Sequence, residues 1–382
     1  MRGMAGPPPA PSVQVHALPG APLGAEARFA GGRSLADATA AEVAVLYGAM
    51  QAAHGLLVVR DQRLSPPALE QAAKQFAPYF GPPLEFRRWP GQSQGIPSCP
   101  TLSMLGNYRA RADGEFGAAC RRGERIAEYK PALKAVEVGC SPPALLPACP
   151  PARLPSASLT RPPKLRQPKE WHTDGSFLAA PKVAIALYAP DVPDALPAEG
   201  GQTGFASCIT AYARLDGAAR AALRRMGTVH SWETFMRLLE RRDPQRPKAT
   251  AADCAAKPDQ VWPCVRLHPP TGLPSIYVNP KNTKRAVELA SGGPAAAEDA
   301  AAFGVGATAG DCLAAAVAAR CVLGEGAKYL HSWRRGDFVL WDNRCLLHAA
   351  HPFDADRYER LLFRLEFPGE PVVAYDGPEE EE

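Results

Sequence analysis

The sequence predicts a mainly β fold with flanking helices, in which short strands form a distorted double-stranded β-helix, a cupin-like jelly roll. Short apolar or alternating runs, bounded by turn-forming residues, recur along the chain and are typical of strands. Short strands that surround a central cavity are the hallmark of this architecture. The predicted strands lie at residues 56–60, 183–188, 202–207, 275–278, 337–341 and 361–367.

Two helices near the N-terminus are expected to buttress this barrel. Thr39 and Glu42 have the spacing of a capping box, and apolar residues then follow at helical spacing until Gly55. A second helix is predicted after Ser65, because a polar cap followed by proline in the first turn starts helices well.

The chain is expected to form one domain over residues 20–370. A Pro- and Gly-rich tail over residues 1–19 precedes this domain, and an acidic tail over residues 371–382 follows it. Insertions at about 108–168 and 291–326 interrupt the predicted strands.

The first insertion is rich in proline and cysteine, and a loop of this length is either functional or disordered. We therefore expect either a lid over the site or a surface insertion. The second insertion is alanine-rich, and a helix is expected at residues 311–319.

Composition argues against nucleic-acid and membrane partners. The chain has 382 residues, of which 46% are hydrophobic, so a full core is possible. The net charge is only +4, whereas a nucleic-acid surface normally needs a basic stripe. No apolar run approaches the length of a membrane span, and the first residues lack the apolar core of a signal peptide. A cytoplasmic protein is expected; an organellar transit peptide and a homo-oligomer stay open.

The ten cysteines are expected to be reduced thiols, because they are scattered and form no C-x-x-C pair. Four of them concentrate in one stretch, at spacings wider than zinc sites use. A disulfide within that stretch is the alternative. These four are Cys99, Cys120, Cys140 and Cys149.

Three residues predict a metal site. His172 and Asp174 are two positions apart, and residues i and i+2 of a β-strand point to the same face. His348 is the third candidate and is expected on a neighbouring strand. Two imidazoles and one carboxylate make a facial triad that leaves coordination positions open, as in non-haem Fe(II) oxygenases. His351 is the alternative distal ligand.

The last predicted strand carries two arginines on one face. Apolar residues alternate with Arg360 and Arg364, so the opposite face forms a hydrophobic ridge. Arginine binds carboxylates with a planar, bidentate fork, and this face is therefore predicted to bind anions. Solvated arginines on an edge strand, or pairing of Arg364 with Glu366, are the alternatives.

With these motifs, the chain resembles the taurine/2,4-dichlorophenoxyacetate dioxygenase family of Fe(II)- and 2-oxoglutarate-dependent enzymes. The matching segments follow the family order over about residues 20–110 and 165–368. They lie at residues 23–26, 54–62, 171–174, 200–203, 205–207, 265–272, 277–280, 333–337 and 341–344.

The resemblance implies roles for individual residues. The iron ligands would be His172, Asp174 and His348. Arg360 matches the arginine that pairs with the distal carboxylate of 2-oxoglutarate, and Thr203 matches the hydroxyl that helps to hold this carboxylate. The substrate-binding residues are expected to be Arg364 and Asn107.

The resemblance also implies a reaction. Fe(II), O2 and the cosubstrate 2-oxoglutarate would be used to hydroxylate a small anionic organic substrate, with release of succinate and CO2. One alternative is a γ-butyrobetaine-hydroxylase-like enzyme, which usually carries an N-terminal zinc module of clustered Cys and His that is not found in this sequence. The other is a catalytically silent binding protein on the same fold, which the intact triad disfavours.

Overall fold

The structure is a computed structural model. It describes residues 12–86, 95–96, 98–106, 171–193, 200–242, 244, 248–304, 310–323, 327–353, 358 and 360–378, with two short strands between 109 and 117. Asn107, most of the first insertion, three of the four clustered cysteines and the ends of both tails lie outside the described residues. Predictions that fall on them are therefore not compared with the structure.

The strands and helices agree with a mainly β fold with helices around it. The strands are β1 (Val13–Ala17), β2 (Ala25–Phe29), β3 (Leu56–Val59), β4 (Gly95–Ile96), β5 (Cys99–Gly106), β6 (Arg109–Ala110), β7 (Phe116–Gly117), β8 (Ala184–Asp191), β9 (Thr203–Ser207), β10 (Met226–His230), β11 (Gln260–Pro263), β12 (Val265–His268), β13 (Leu273–Ile276), β14 (Thr283–Glu288), β15 (Lys328–His331), β16 (Phe338–Asp342), β17 (Leu346–Ala350) and β18 (Leu361–Glu366). The helices are α1 (Ala40–Ala52), α2 (Pro66–Lys74), α3 (Ala77–Phe80), α4 (Cys208–Ala213), α5 (Gly217–Arg225), α6 (Trp232–Arg242), α7 (Ala251–Ala255), α8 (Ala297–Ala301) and α9 (Gly310–Leu323).

Two sheets position the site. The larger has the strand order β1-β2-β3-β16-β8-β18-β5-β4, and the smaller has the order β15-β9-β17. All neighbours in these sheets are antiparallel except β2 and β3. Because the sheet joins strands from both ends of the chain, its assembly depends on long-range pairing.

The predicted N-terminal helices cover the outer face of the large sheet. Thr39 caps α1 in a capping box with Glu42, as predicted, and the Ser65 side chain caps α2. The ring of Phe76 stacks on that of Phe338 in β16, with centroids 6.3 Å apart. Each such buried side chain contributes about 1.5–3 kcal/mol of hydrophobic stabilisation, so this layer anchors the sheet.

The alternation predicted for the last strand is confirmed. In β18, Leu361, Phe363 and Leu365 join the core under the helices, whereas Leu362 joins the separate cluster on the other face of the sheet. Arg364 shares the face of Leu362 because side chains alternate along a strand. The Arg364 side chain therefore points away from the helices and contacts Asp174 of the predicted triad.

A buried ionic network holds the turn between β16 and β17. Both carboxylate oxygens of Asp342 accept hydrogen bonds from the Arg344 guanidinium, at 2.8 and 2.6 Å, and His268 lies 3.2 Å away. Cys345 lies close to His268 and Asp342, so these residues have metal-ligand chemistry. Because Arg344 already occupies both oxygens, we interpret the group as structural.

Three further features concern the second insertion, membrane spans and the cysteines. The helix predicted at residues 311–319 lies within α9, so that prediction is confirmed. Within the described ranges, no helix is long and apolar enough to cross a membrane. The described cysteines are free thiols: Cys99, Cys208, Cys254, Cys264 and Cys345.

Candidate metal centre and active site

A backbone bridge brings the two histidines of the predicted triad together. The His172 N–H donates to the His348 carbonyl at 3.0 Å, and the His348 N–H donates to the His172 carbonyl at 2.8 Å. His348 lies in β17, where it is also opposite Phe205 of β9. The ring centroids of His172 and His348 are 4.3 Å apart. The pairing thus places both imidazoles at one point of the small sheet.

Asp174 does not lie on a strand, so the prediction of strand geometry across 172–174 is wrong. The chain turns immediately after His172 and Thr173, and Gly175 has φ of +72°, which favours glycine. The Leu178 N–H closes this turn by donating to the Gly175 carbonyl. The turn nevertheless keeps the Asp174 carboxylate beside the histidines, which is the outcome that the spacing predicted.

The three side chains have the separations of a metal site. Asp174 Oδ1 is 3.5 Å from His172 Nε2, and Asp174 Oδ2 is 3.6 Å from His348 Nε2. The candidate ligand atoms all lie within 4.8 Å of one another. His351 is not in this group; its backbone N–H donates to the Gln202 carbonyl just beyond β17.

Close packing constrains the chain segment that leads to His172. Gly204 of β9 lies under the Trp171 indole, and a Cβ built at this glycine would be 2.5 Å from Trp171 Cη2. A larger residue would therefore displace the tryptophan that directly precedes His172. Gly204 thus helps to position His172, the first candidate ligand.

The surroundings of the triad favour an ionised Asp174 carboxylate and a neutral His348 imidazole. Burial opposes ionisation of Asp174, but Arg364, His348 and His172 more than offset it and hold the pKa of this carboxyl well below its usual range. Burial, followed by the charge of His172, lowers the pKa of His348 well below its usual range. Metal ligands must be in these deprotonated forms, so the site is prepared for a cation.

Arg364 lies directly beside the triad. Its Nη2 is 2.7 Å from Asp174 Oδ2 and 2.5 Å from Glu366 Oε1. Glu366 is also paired with Lys182. Arg364, which is predicted to meet the substrate, therefore contacts both the candidate ligand Asp174 and its alternative partner Glu366.

Arg360 contacts the chain just before Thr203. The Arg360 guanidinium donates to the Gly201 carbonyl at 2.7 Å and lies over the Phe353 ring, 5.1 Å from its centroid. Thr203 is buried, and its Oγ1 accepts a hydrogen bond from Trp333 Nε1 at 3.1 Å. Because the indole donates here, the Thr203 hydroxyl proton remains available for another acceptor.

A stacked pair of aromatic rings, called the aromatic wall, lies just beyond the turn at Asp174 and was not predicted from the sequence. The rings of Phe177 and Phe235 stack with centroids 5.5 Å apart, and Lys281 Nζ lies 5.3 Å from the Phe235 centroid. The Asn279 amide ties this wall to the triad, since it donates to the Thr173 carbonyl and accepts the Lys281 N–H. The signal in the sequence was weak, because these residues come from three separate segments.

A buried polar network supports the turn after Asp174. The Ser176 hydroxyl lies within hydrogen-bond distance of His230, Asn279 and Asn282, at 2.9, 2.8 and 3.0 Å. Burial lowers the pKa of His230 to about 3, so its imidazole is neutral. We therefore interpret His230 as structural.

Comparison with known proteins agrees with this geometry. The family model described as "Taurine catabolism dioxygenase TauD, TfdA family" matches residues 154–365, which span all three triad residues and both arginines. The chain belongs to the TauD/TfdA family.

The chain is also similar to individual dioxygenases of known name. It is 30% identical over 202 residues to an (S)-phenoxypropionate/alpha-ketoglutarate-dioxygenase of Delftia acidovorans, covering 53% of this chain and 61% of the relative. It is 27% identical over 191 residues to the alpha-ketoglutarate-dependent 2,4-dichlorophenoxyacetate dioxygenase of Cupriavidus pinatubonensis, covering 50% and 57%. The matches thus span about three fifths of these relatives.

A solved structure extends the likeness in fold to nearly the whole chain. A taurine dioxygenase from Burkholderia xenovorans superposes with a TM-score of 0.59 at 20% identity, over 96% of this chain and 95% of that one. The TauD-type fold therefore includes the segments outside the family match.

Alanine at His172, Asp174 or His348 is expected to abolish Fe(II) binding, because each change would remove one of the three candidate ligands. Anaerobic titration with Fe(II), monitored by calorimetry, measures this loss. His351→Ala is the matched control, a histidine three positions beyond His348, and should bind Fe(II) like the wild type. Normal binding by His348→Ala together with loss in His351→Ala would show that the distal ligand was misassigned.

Proposed function

We propose that this protein is an Fe(II)- and 2-oxoglutarate-dependent dioxygenase that hydroxylates a small anionic organic substrate. The observation that carries the proposal is the grouping of His172, Asp174 and His348 within 4.8 Å, next to a basic strand face. The products would be succinate, CO2 and the hydroxylated substrate, which together account for both oxygen atoms of O2.

The donor set fits Fe(II). Two imidazoles and one carboxylate on one side of a metal leave adjacent positions for a chelating cosubstrate and O2. Bound Fe(II) would supply the oxygen chemistry that the side chains lack. The protein's part is to hold the ligands, orient both small molecules and exclude water.

Arg360 and Thr203 would hold the far carboxylate of 2-oxoglutarate. Arg360 is buried, which makes a charge-assisted pair with a carboxylate strong. The hydroxyl proton of Thr203 is free to donate because Trp333 already donates to its oxygen. The Gly201 carbonyl orients the guanidinium at this end of the site.

Arg364 would meet the anionic group of the substrate. It lies beside Asp174, and Lys281 and Arg364 both contribute positive charge near His348. The Phe177–Phe235 wall supports a substrate with a flat apolar part. The relatives named for phenoxypropionate and 2,4-dichlorophenoxyacetate have this chemistry, and such aryloxy acids are the first substrates to test.

We further propose that the two sheets enclose this site as a distorted double-stranded β-helix. The triad lies where the small sheet, through β17 and β9, faces the arginine side of β18 in the large one. Residues 20–370 would then form one catalytic domain.

Arg360→Ala should raise the KM for 2-oxoglutarate strongly and leave Fe(II) binding intact. Loss of one partner of a buried charge pair costs about 2–5 kcal/mol, roughly a 30-fold to several-thousand-fold change. Succinate release in the presence of Fe(II), with and without aryloxy acids, measures both the activity and this KM.

Arg335→Ala is the control for that experiment, because Arg335 is 63% exposed and pairs with Asp191. No succinate from the wild type with any anionic substrate would contradict the proposed function. An unchanged KM in Arg360→Ala with a large change in Arg364→Ala would move the cosubstrate contact to Arg364.

Arg364→Leu should weaken anionic substrates selectively, because it removes the charge that would pair with them. Substrate-dependent succinate release is compared for an aryloxy acid and its neutral amide, with Fe(II) saturating so that loss of the Asp174 contact does not limit turnover. Uncoupled 2-oxoglutarate turnover should stay nearly intact. Equal losses for the acid and the amide, or loss of thermal stability alone, would favour a structural role with Glu366.

A further inference from the structure

Asn343 joins the chain segments that carry the metal ligands. Its Oδ1 accepts a hydrogen bond from the Asp174 N–H at 3.0 Å, and its Nδ2 donates to the Asp174 carbonyl at 2.9 Å. Nδ2 also donates to the Lys182 carbonyl at 2.8 Å. Asn343 is only 1% exposed, so these bonds are shielded from water.

The backbone of Asn343 completes the connection. Its carbonyl accepts a hydrogen bond from Thr173 Oγ1 at 2.8 Å, and its N–H donates to the Val183 carbonyl at 2.9 Å. Asn343 itself lies in the turn between β16 and β17, five residues before His348. One residue therefore ties the segment of Asp174 to the hairpin of His348.

The amide of Asn343 does for Asp174 what a strand neighbour does for other residues. A residue in an antiparallel pair exchanges both its N–H and its carbonyl with one partner, as His172 does with His348. Asp174 lies in a turn and exchanges both groups with the side-chain amide of Asn343 instead. Only an amide offers the required acceptor and donor in this arrangement.

We propose that Asn343 is a positioning residue of the metal centre. By holding the backbone of Asp174 on both sides, it sets the carboxylate against His172 and His348 without touching the metal. Loss of an outer partner of this kind typically costs 10–100-fold in metal affinity. The inference rests on the proposed Fe(II) site and adds to it a residue that acts through Asp174.

The test measures metal affinity and folding separately on the full chain. Anaerobic Fe(II) titration gives the Kd, the visible spectrum of the Co(II) form reports ligand geometry, and thermal melting without metal reports stability. Asn343→Ala and Asn343→Asp should bind Fe(II) about 10–100-fold more weakly and change the Co(II) spectrum. The aspartate variant is included because it keeps the size but places an oxygen against two carbonyls.

Gln62→Ala is the matched control. Gln62 is a buried amide that accepts the Leu35 N–H at 2.7 Å and donates to the Arg60 carbonyl at 2.9 Å, so its loss also removes backbone bonds. Gln62→Ala should lower the melting temperature and leave the Kd and the Co(II) spectrum unchanged.

Thr173→Val removes only the hydroxyl bond to Asn343 and should also weaken Fe(II) binding.

The outcomes separate the two proposals. If the wild type binds no Fe(II), the proposed function fails and the inference fails with it. If the wild type binds Fe(II) but the Asn343 variants bind it equally well, the positioning role alone is overturned. A Gln62→Ala loss of affinity equal to that of Asn343→Ala would also overturn it. Should the Asn343 variants not fold, an unchanged Kd in Thr173→Val overturns the role and a weaker Kd supports it.

Discussion

Two backbone hydrogen bonds between His172 and His348 determine the geometry of the site. They bring together segments far apart in the chain, and they place both imidazoles at the β17 edge of the small sheet. The neighbouring features are arranged around this pairing: Trp171 packs over Gly204, the chain turns at Gly175, and the carboxylate of Asp174 comes within 3.6 Å of both rings.

The site concentrates charged side chains in a partly buried setting. A partly buried carboxylate such as that of Asp174 is costly unless cations lie beside it, and Arg364 supplies one at 2.7 Å. Glu366 and Lys182 extend the row, so each charge has a neighbour of opposite sign. This arrangement stabilises the deprotonated carboxylate that a metal needs, and it explains why the strand face of β18 carries arginine where the other face carries leucine and phenylalanine.

Local features were predictable from the sequence, and long-range contacts were not. The alternation of β18 and the capping box at Thr39 follow from neighbouring residues, and the structure has both. The spacing of His172 and Asp174 predicted that their side chains lie close together, as they do. It did not predict the turn at Asp174, because the partner that replaces a strand there is a side chain. That partner, Asn343, lies in the family-like segment at residues 341–344, but the sequence alone assigns it no role because its contacts at Asp174 and Lys182 are distant in sequence. A buried amide within an apolar segment was the available signal, because such groups need partners.

The triad would hold Fe(II), to which 2-oxoglutarate would bind through two oxygens. Anaerobic visible spectroscopy of the purified protein tests this most directly, with Fe(II) added first and 2-oxoglutarate second. A metal-to-ligand charge-transfer band is expected only when both are present, and it should be missing in Asp174→Ala. No band from the wild type at saturating concentrations, or the same band from Asp174→Ala, would contradict the assignment of the metal centre.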